Sequence, residues 1–225
     1  MQFLYDEQSG KEIIELKGEN FNYLVKVRRH KEADEIALRN TLKPDELYIY
    51  NLKDVEPKRA KLVLKEHKTF SIKSEKKLHI GWCVIDTTSI EKALPMLNEI
   101  GLDKITFIYC DRSQKNTKLN LARFERLLNS SSMQCGRDTP IKIVINRSLD
   151  DFLQKNPETV VIDFSEETLE DNTDYKTILV GCEGGFSKDE RTNFKNLNIK
   201  TVGLNSPMIL RSESAVVAVS SKILL

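Results

Sequence analysis

The sequence predicts an α/β protein with a mostly parallel, helix-flanked sheet over residues 72–225 and a small β-rich part over residues 1–71. Three observations carry this. From residue 78 onward, short apolar runs alternate with segments patterned as helices, whereas the earlier part holds only short strand-like runs between turn residues. Two of the later runs stop at glycine, Ile178-Leu179-Val180-Gly181 and Thr201-Val202-Gly203. Glycine-ended strands with specific loops are how an α/β sheet builds a ligand site at its strand ends. The chain closes on a helix that is apolar on nearly every side, Ser214 onward, and such a helix is buried all round.

In the first part the apolar runs are 2–5, 13–16, 35–38, 47–52 and 60–64, separated by Ser9-Gly10, Lys17-Gly18, Asn40 and Pro44. They predict a small antiparallel β-barrel or sheet with one helix over 20–28. The charged stretch 71–77 reads as a linker. Residues 78–84 form the next strand. Ser89 caps a helix with Ile90, Ala93, Leu94, Leu97 and Ile100 on one face, closed by Gly101, and Pro95 predicts a kink or a late start. A strand over 104–110 and a helix over 119–134 follow, then strands at 141–145, 159–164, 177–182 and 199–203. Helices start at Ser148 and Ser187, and Ser187 with Glu190 forms a capping box. Either the core or a second copy of the chain buries the outer face of the last helix.

Composition bounds the function. The chain has 225 residues, 40% hydrophobic and 31% charged, as in a soluble globular protein, with no apolar run of membrane-spanning length and no export signal at the start. The four cysteines are widely spaced, which argues against a zinc site or a disulfide framework and for a reducing cytoplasm. A net charge of +1 leaves nucleic-acid binding to local patches. Candidates are Lys26, Arg28, Arg29, His30 and Lys31, the basic stretch 58–68, and Lys115, Lys118, Arg123 and Arg126; an ordinary solvated surface has the same composition.

The motifs exclude more chemistry than they assign. Gly181, Gly184 and Gly185 do not make a dinucleotide fingerprint, and no acid stands near Leu204 to hold a ribose. There is no phosphate-binding P-loop, and His30, His67 and His79 all lie away from the strand-end loops, against nucleophile–histidine catalysis and histidine metal sites. What remains is a site of main chain and a few polar groups. Gly184-Gly185 permits a tight turn and a close ligand approach, although a plain strand–turn–helix connection has the same form. Arg211 and Glu213 open an apolar helix, either as a structural ion pair or as working groups. Met133-Gln134-Cys135-Gly136-Arg137-Asp138 reads as a helix C-cap with Gln134 and Arg137 facing outward.

These segments resemble those of the bacterial ribosomal RNA small subunit methyltransferase E family, of the trefoil-knotted SPOUT class. The resemblance runs through Gly181-Cys182-Glu183-Gly184-Gly185-Phe186 with Ser187 and Glu190, Leu210-Arg211-Ser212-Glu213-Ser214-Ala215, Gln134-Cys135-Gly136-Arg137 and Asp34-Glu35-Ile36, in the family's order and spacing along the whole chain. Cys182 stands where the family has proline, Ser214 where it has threonine, Asn22 where it has histidine, Ala33 where it has glycine, and Pro95-Met96 where many members have a lysine-containing helix. The resemblance implies a PUA-like RNA-binding β-barrel over 1–71 and a knotted, S-adenosylmethionine-binding methyltransferase domain over 72–225, acting as a cytoplasmic homodimer without a metal. It implies methylation of N3 of a specific uridine in small-subunit ribosomal RNA. Cofactor-binding positions would be Leu179, Val180, Gly181, Glu183, Gly184, Gly185, Val202, Gly203, Leu204, Ile209, Leu210 and Ala215. Catalytic positions would be Arg211 and Glu213, and RNA-binding ones Lys26, Arg28, Arg29, Gln134 and Arg137. Two alternatives stand beside it: a SPOUT enzyme acting on a different RNA or atom, and a non-catalytic RNA-binding or assembly factor of the same fold.

Overall fold

The computed structural model describes residues 2–114, 116–171 and 173–225. The chain divides into two compact units, residues 1–73 with 132–139, and residues 74–131 with 140–225.

The first unit is a five-stranded sheet of β1 (Leu4–Tyr5), β2 (Ile13–Lys17), β3 (Glu35–Asn40), β4 (Lys43–Lys53) and β5 (Arg59–Thr69), in the order β1-β3-β4-β5-β2. Strand alternation sets its core: Ile14 and Leu16 of β2 point inward to join Leu38, Tyr50, Leu52 and Leu62. The expectation of a purely antiparallel sheet fails at one strand, because β1 pairs parallel with β3 while the remaining pairs are antiparallel. Between β2 and β3 runs α1 (Gly18–Phe21), continued by a π-helical segment (Asn22–Val27), with Phe21 and Leu24 in the core. Residues 132–139 belong to this unit. Phe3 N–H donates to the Met133 carbonyl at 3.1 Å, Tyr5 O–H to the Asp138 carbonyl at 3.0 Å, and Ser71 O–H to the buried Asp138 carboxylate at 2.6 Å.

The second unit is a six-stranded sheet of β6 (His79–Cys83), β7 (Lys104–Ile108), β8 (Lys142–Asn146), β9 (Val160–Ile162), β10 (Thr177–Val180) and β11 (Thr201–Val202), in the order β11-β9-β10-β6-β7-β8, parallel throughout. Its helices are α2 (Thr87–Ile100), α3 (Leu121–Cys135, whose last four residues fall in the first unit), α4 (Leu149–Lys155), α5 (Lys188–Asn196) and α6 (Ser212–Leu224). The strands read as continuous apolar runs because helices cover them, and Ile80, Trp82, Ile105, Phe107, Val161, Ile178 and Leu179 are all buried. Strands β6, β7 and β8 are laid side by side; the chain then crosses to β9 and returns to place β10 between β9 and β6. That reversal of building direction opens a crevice at the carboxyl ends of the strands.

Local chemistry fixes the helix ends. Asp86 rather than Ser89 caps α2, its carboxylate accepting Ser89 N–H at 2.9 Å, and Gly101 closes it at φ 101°. The helix starts well before Pro95, which excludes the late start. Helix α6 packs on α2 and buries Val216, Val219 and Ile223, while Val217 and Leu224 stay partly exposed. Cys83, at the end of β6, and Cys110, just past β7, form a disulfide with a Cα–Cα distance of 5.7 Å. Cysteine spacing argues against disulfides, and this pair departs from that: the parallel register pairs Cys83 with Ile108 and carries Cys110 to its side, a neighbourhood that a separation of 27 residues conceals.

Candidate active site

The loops after β9, β10 and β11 wall a cleft of about 800 Å³. It is lined by Ile162 at the end of β9 and Asp163 and Phe164 after it, by Val180 and 181–186 at the end of β10, and by Gly203, Leu204 and 208–210 before α6. Glycines bring main chain to its surface. A Cβ on Gly203 would lie 2.9 Å from the Ser165 carbonyl oxygen, so the β11 loop lies directly on the β9 loop. Gly203 also donates its N–H to the Glu167 carbonyl at 2.7 Å and accepts Leu169 N–H at 2.8 Å. The turn after β10 closes with Gly185 N–H on the Cys182 carbonyl at 2.9 Å, and Gly185 takes φ 63°, a left-handed conformation that suits glycine.

The turn leads into α5 through the expected capping box: Ser187 Oγ accepts Glu190 N–H at 3.1 Å and Glu190 accepts Ser187 N–H at 2.7 Å. Glu190 also accepts Asp111 N–H at 2.9 Å, and the Asp111 carboxylate accepts Ser187 O–H at 2.6 Å. On the facing wall Arg191 makes a two-pronged pair with Asp163, at 2.6 and 3.0 Å. The hydrogen bond to Asp163 raises the arginine's pKa further. Burial pushes the Cys182 thiol up, so it stays protonated. Beneath the cleft Trp82 Nε1–H donates to Ser212 Oγ at 2.8 Å, and Ser212 O–H donates to the Gly181 carbonyl at 2.6 Å. One hydroxyl thus ties the start of α6 to the end of β10 and to the core of β6.

The site has the form of a small-molecule pocket: concave, main-chain-rich and apolar at its mouth, where Phe164, Met208 and Ile209 are 78%, 66% and 82% exposed. A family model described as an RNA methyltransferase domain matches residues 73–224. A ribosomal RNA small subunit methyltransferase E from Helicobacter pylori is 36% identical over 98% of each chain. The chain belongs to the ribosomal RNA small subunit methyltransferase E family. Among solved structures, a methyltransferase from Legionella pneumophila in complex with bound S-adenosylmethionine aligns with a TM-score of 0.79 at 18% identity, over 98% of this chain and 94% of that one. The methyltransferase E of Neisseria gonorrhoeae bound to S-adenosylmethionine aligns at 0.76 and 19%, over 98% and 95%. At these identities the likeness is one of fold.

For a methyltransferase E family member, the placement of the sequence-derived residues is informative. Val180, Gly181, Glu183, Gly184, Gly185, Gly203, Leu204, Ile209, Leu210 and Ala215 line the cleft. Leu179 and Val202 do not; their side chains sit in the core beneath it. Arg211 is exposed and is the N-cap residue of α6, between Leu210 and Ser212 of the cleft wall. No ion pair joins Arg211 to Glu213 among the described residues, so neither the structural pair nor an orienting role for Glu213 holds in this geometry. Lys26, Arg28, Arg29, Gln134 and Arg137 all fall in the first unit. Arg28 is held by the Tyr23 hydroxyl at 2.8 and 3.0 Å and lines a small cleft with Met133, next to the exposed Gln134. Arg137 donates to the Thr139 carbonyl at 2.6 Å. Arg123 is paired with Glu91 at 2.6 Å, Lys118 and Arg126 are exposed, and Lys115 lies outside the described residues.

Sequence reasoning missed Trp82, Arg112, Asp163, Phe164, Arg191 and Met208, and passed over Ser212 inside a motif it had already quoted. Two of them carried a signal, since Asp163 and Phe164 close a predicted strand on the side where the glycine-ended strands also end.

Proposed function

We propose that this chain methylates N3 of one uridine in small-subunit ribosomal RNA, using S-adenosylmethionine. The observation that carries the reading is the convergence of the Gly181–Phe186 turn and the Leu210–Ala215 segment on one cleft at the carboxyl ends of β9, β10 and β11. The residues fit the cofactor. The segments Val180–Gly185 and Gly203–Leu204 bring main chain to the cleft surface, and Phe164, Met208 and Ile209 give a base an apolar rim. When bound, S-adenosylmethionine supplies a methyl carbon activated by its sulfonium.

The protein's own groups supply binding and charge. A uridine turned out of its stack enters beside the cleft mouth, and holding it against the glycine turn provides much of the acceleration. Arg211, exposed at the start of α6 and without an ion-pair partner among the described residues, stabilises the uracil anion as the N3 proton passes to solvent water. Glu213, partly exposed in the first turn of the same helix, takes a hydrogen bond from substrate. Lys26, Arg28, Arg29, Gln134 and Arg137 grip the RNA backbone from the first unit, a PUA-like barrel of the N-terminal residues joined by 132–139, and the second unit is the knotted methyltransferase domain, with 199–225 threaded past 177–186. The partly exposed Val217 and Leu224 of α6 pack on a second copy, and the dimer works in the cytoplasm.

The test is transfer of labelled methyl from S-adenosylmethionine to small ribosomal subunits, followed by nucleoside analysis. The reading predicts 3-methyluridine at one position. It also predicts that Arg211→Ala lowers turnover about 10²-fold or more while the cofactor still binds. Unchanged turnover in Arg211→Ala removes the arginine from the mechanism, and methyl on a ribose or another base removes the N3 assignment.

A further inference from the structure

The glycine turn of the cleft is buttressed from outside by an arginine that no motif assigns. Arg112 lies in the loop between β7 and α3, and its Nη1 donates to the Gly184 carbonyl at 2.5 Å. Its side chain covers Gly184 as well: a Cβ on that glycine would meet Arg112 Cδ at 3.3 Å and Cβ at 3.5 Å. Arg112 is itself exposed, with no acidic partner among the described residues, so its hydrogen bonding is directed at the turn.

Its anchorage is firm. The preceding Cys110 is disulfide-bonded to Cys83 and its N–H donates to Ser113 Oγ at 3.1 Å. Asp111 is fixed at both ends, N–H to Glu190 and carboxylate from Ser187 O–H. The loop therefore grips the turn and the first residues of α5 through three separate bonds. The turn's own ring is closed by one main-chain bond, Gly185 N–H to the Cys182 carbonyl, and two adjacent glycines give it wide conformational freedom. A turn so built holds one shape only if something outside it removes that freedom.

We propose that Arg112 is a positioning residue of the methyltransferase site. It fixes the Gly184 carbonyl, and with it the direction of the Glu183–Gly185 main chain facing the cleft, so that the cofactor meets a preformed wall. The inference rests on the reading of the cleft as the S-adenosylmethionine site.

Two readouts on native protein, Arg112→Ala and Arg112→Lys test it and separate its failure from failure of that reading. The first is amide hydrogen exchange of residues 182–186 in the free protein. Loss of the arginine is expected to speed exchange there about tenfold, with the rest of the second unit and the melting temperature unchanged, and lysine, whose ammonium can still donate to the carbonyl and whose methylenes cover the glycine, restores most of the protection. The second is titration with S-adenosylmethionine, where alanine is expected to raise Kd about tenfold and lysine less than threefold. Exchange in Arg112→Ala equal to native overturns the proposal, as does a general loss of protection or melting temperature that lysine does not rescue. Faster local exchange with unaltered Kd overturns the link to the cofactor. A native protein that fails to bind S-adenosylmethionine overturns the cofactor reading, and the exchange result then decides the role of Arg112 in the turn by itself.

Discussion

Replacing Ser212 with alanine is the sharpest perturbation of the site's foundation. The hydroxyl accepts from Trp82 at 2.8 Å and donates to the Gly181 carbonyl at 2.6 Å, in surroundings where Trp82 is 0% and Ser212 5% exposed. Alanine keeps the helix and removes one atom, so the cavity is small. The cost comes from two polar groups left buried and unpaired, the indole N–H and the carbonyl, at about 1–3 kcal/mol each before relaxation. Allowing for partial rescue, Ser212→Ala is expected to lose about 2–4 kcal/mol. With a urea slope of about 2–3 kcal/mol/M, the midpoint falls by about 1 M. Far-UV circular dichroism is the right signal, because Trp82 is the only tryptophan and the partner variant removes it. A cycle with Trp82→Phe isolates the shared bond, with an expected coupling of about 1 kcal/mol or more. A loss below about 0.5 kcal/mol for Ser212→Ala, with effects that simply add in the double variant, would refute the relay.

Two further outcomes follow from buried titrating groups. Burial, with help from Lys104, lowers the His79 pKa from 6.5 to about 4, and its ring lies against Thr106 Oγ1 at 2.8 Å. The unfolded chain therefore binds a proton that the native state refuses; stability is complete above about pH 6.5, falls on the way to pH 4, and is level below. His79→Phe is expected to flatten that fall by about 1–2 kcal/mol relative to native, read from urea midpoints across the window; parallel pH profiles would contradict it. Cys182 is buried with a raised pKa and its thiol points at the Gly185 carbonyl at 3.6 Å, whereas Cys135 is partly exposed. Brief alkylation at pH 8 followed by mass spectrometry should label Cys135 and spare Cys182, and the reverse order would show that the glycine turn opens freely.

Much of the second unit was legible because parallel strands covered by helices read as apolar runs, unbroken in the buried β7 and β10 and still apolar at the half-exposed edge strand β8. The strands at 104–110, 141–145 and 177–182 correspond to β7, β8 and β10, and the Ser187–Glu190 capping box stands as read. Competition between neighbouring candidates was less legible. Asp86 outbids Ser89 as a cap since its carboxylate reaches the Ser89 N–H from three residues upstream. The parallel pairing of β1 with β3, the Cys83–Cys110 disulfide and the Trp82–Ser212 bond, whose partners are 130 residues apart, depend on register and crossover. Of the site, the glycines could be read directly, since their absent side chains are the signal. Arg112 and Arg191 could not, because a charged residue in a loop or on a helix face has the same composition whether it braces a turn, pairs with an acid or faces water.

The most direct test of the central claim is isothermal titration of the purified chain with S-adenosylmethionine, native beside Gly203→Ala. A methyl group on Gly203 would sit 2.9 Å from the Ser165 carbonyl oxygen and must part the β9 and β11 loops that wall the cleft. The account predicts saturable binding by the native protein and at least a tenfold loss in the folded variant. Equal binding by both, or none by a folded native protein, would contradict it.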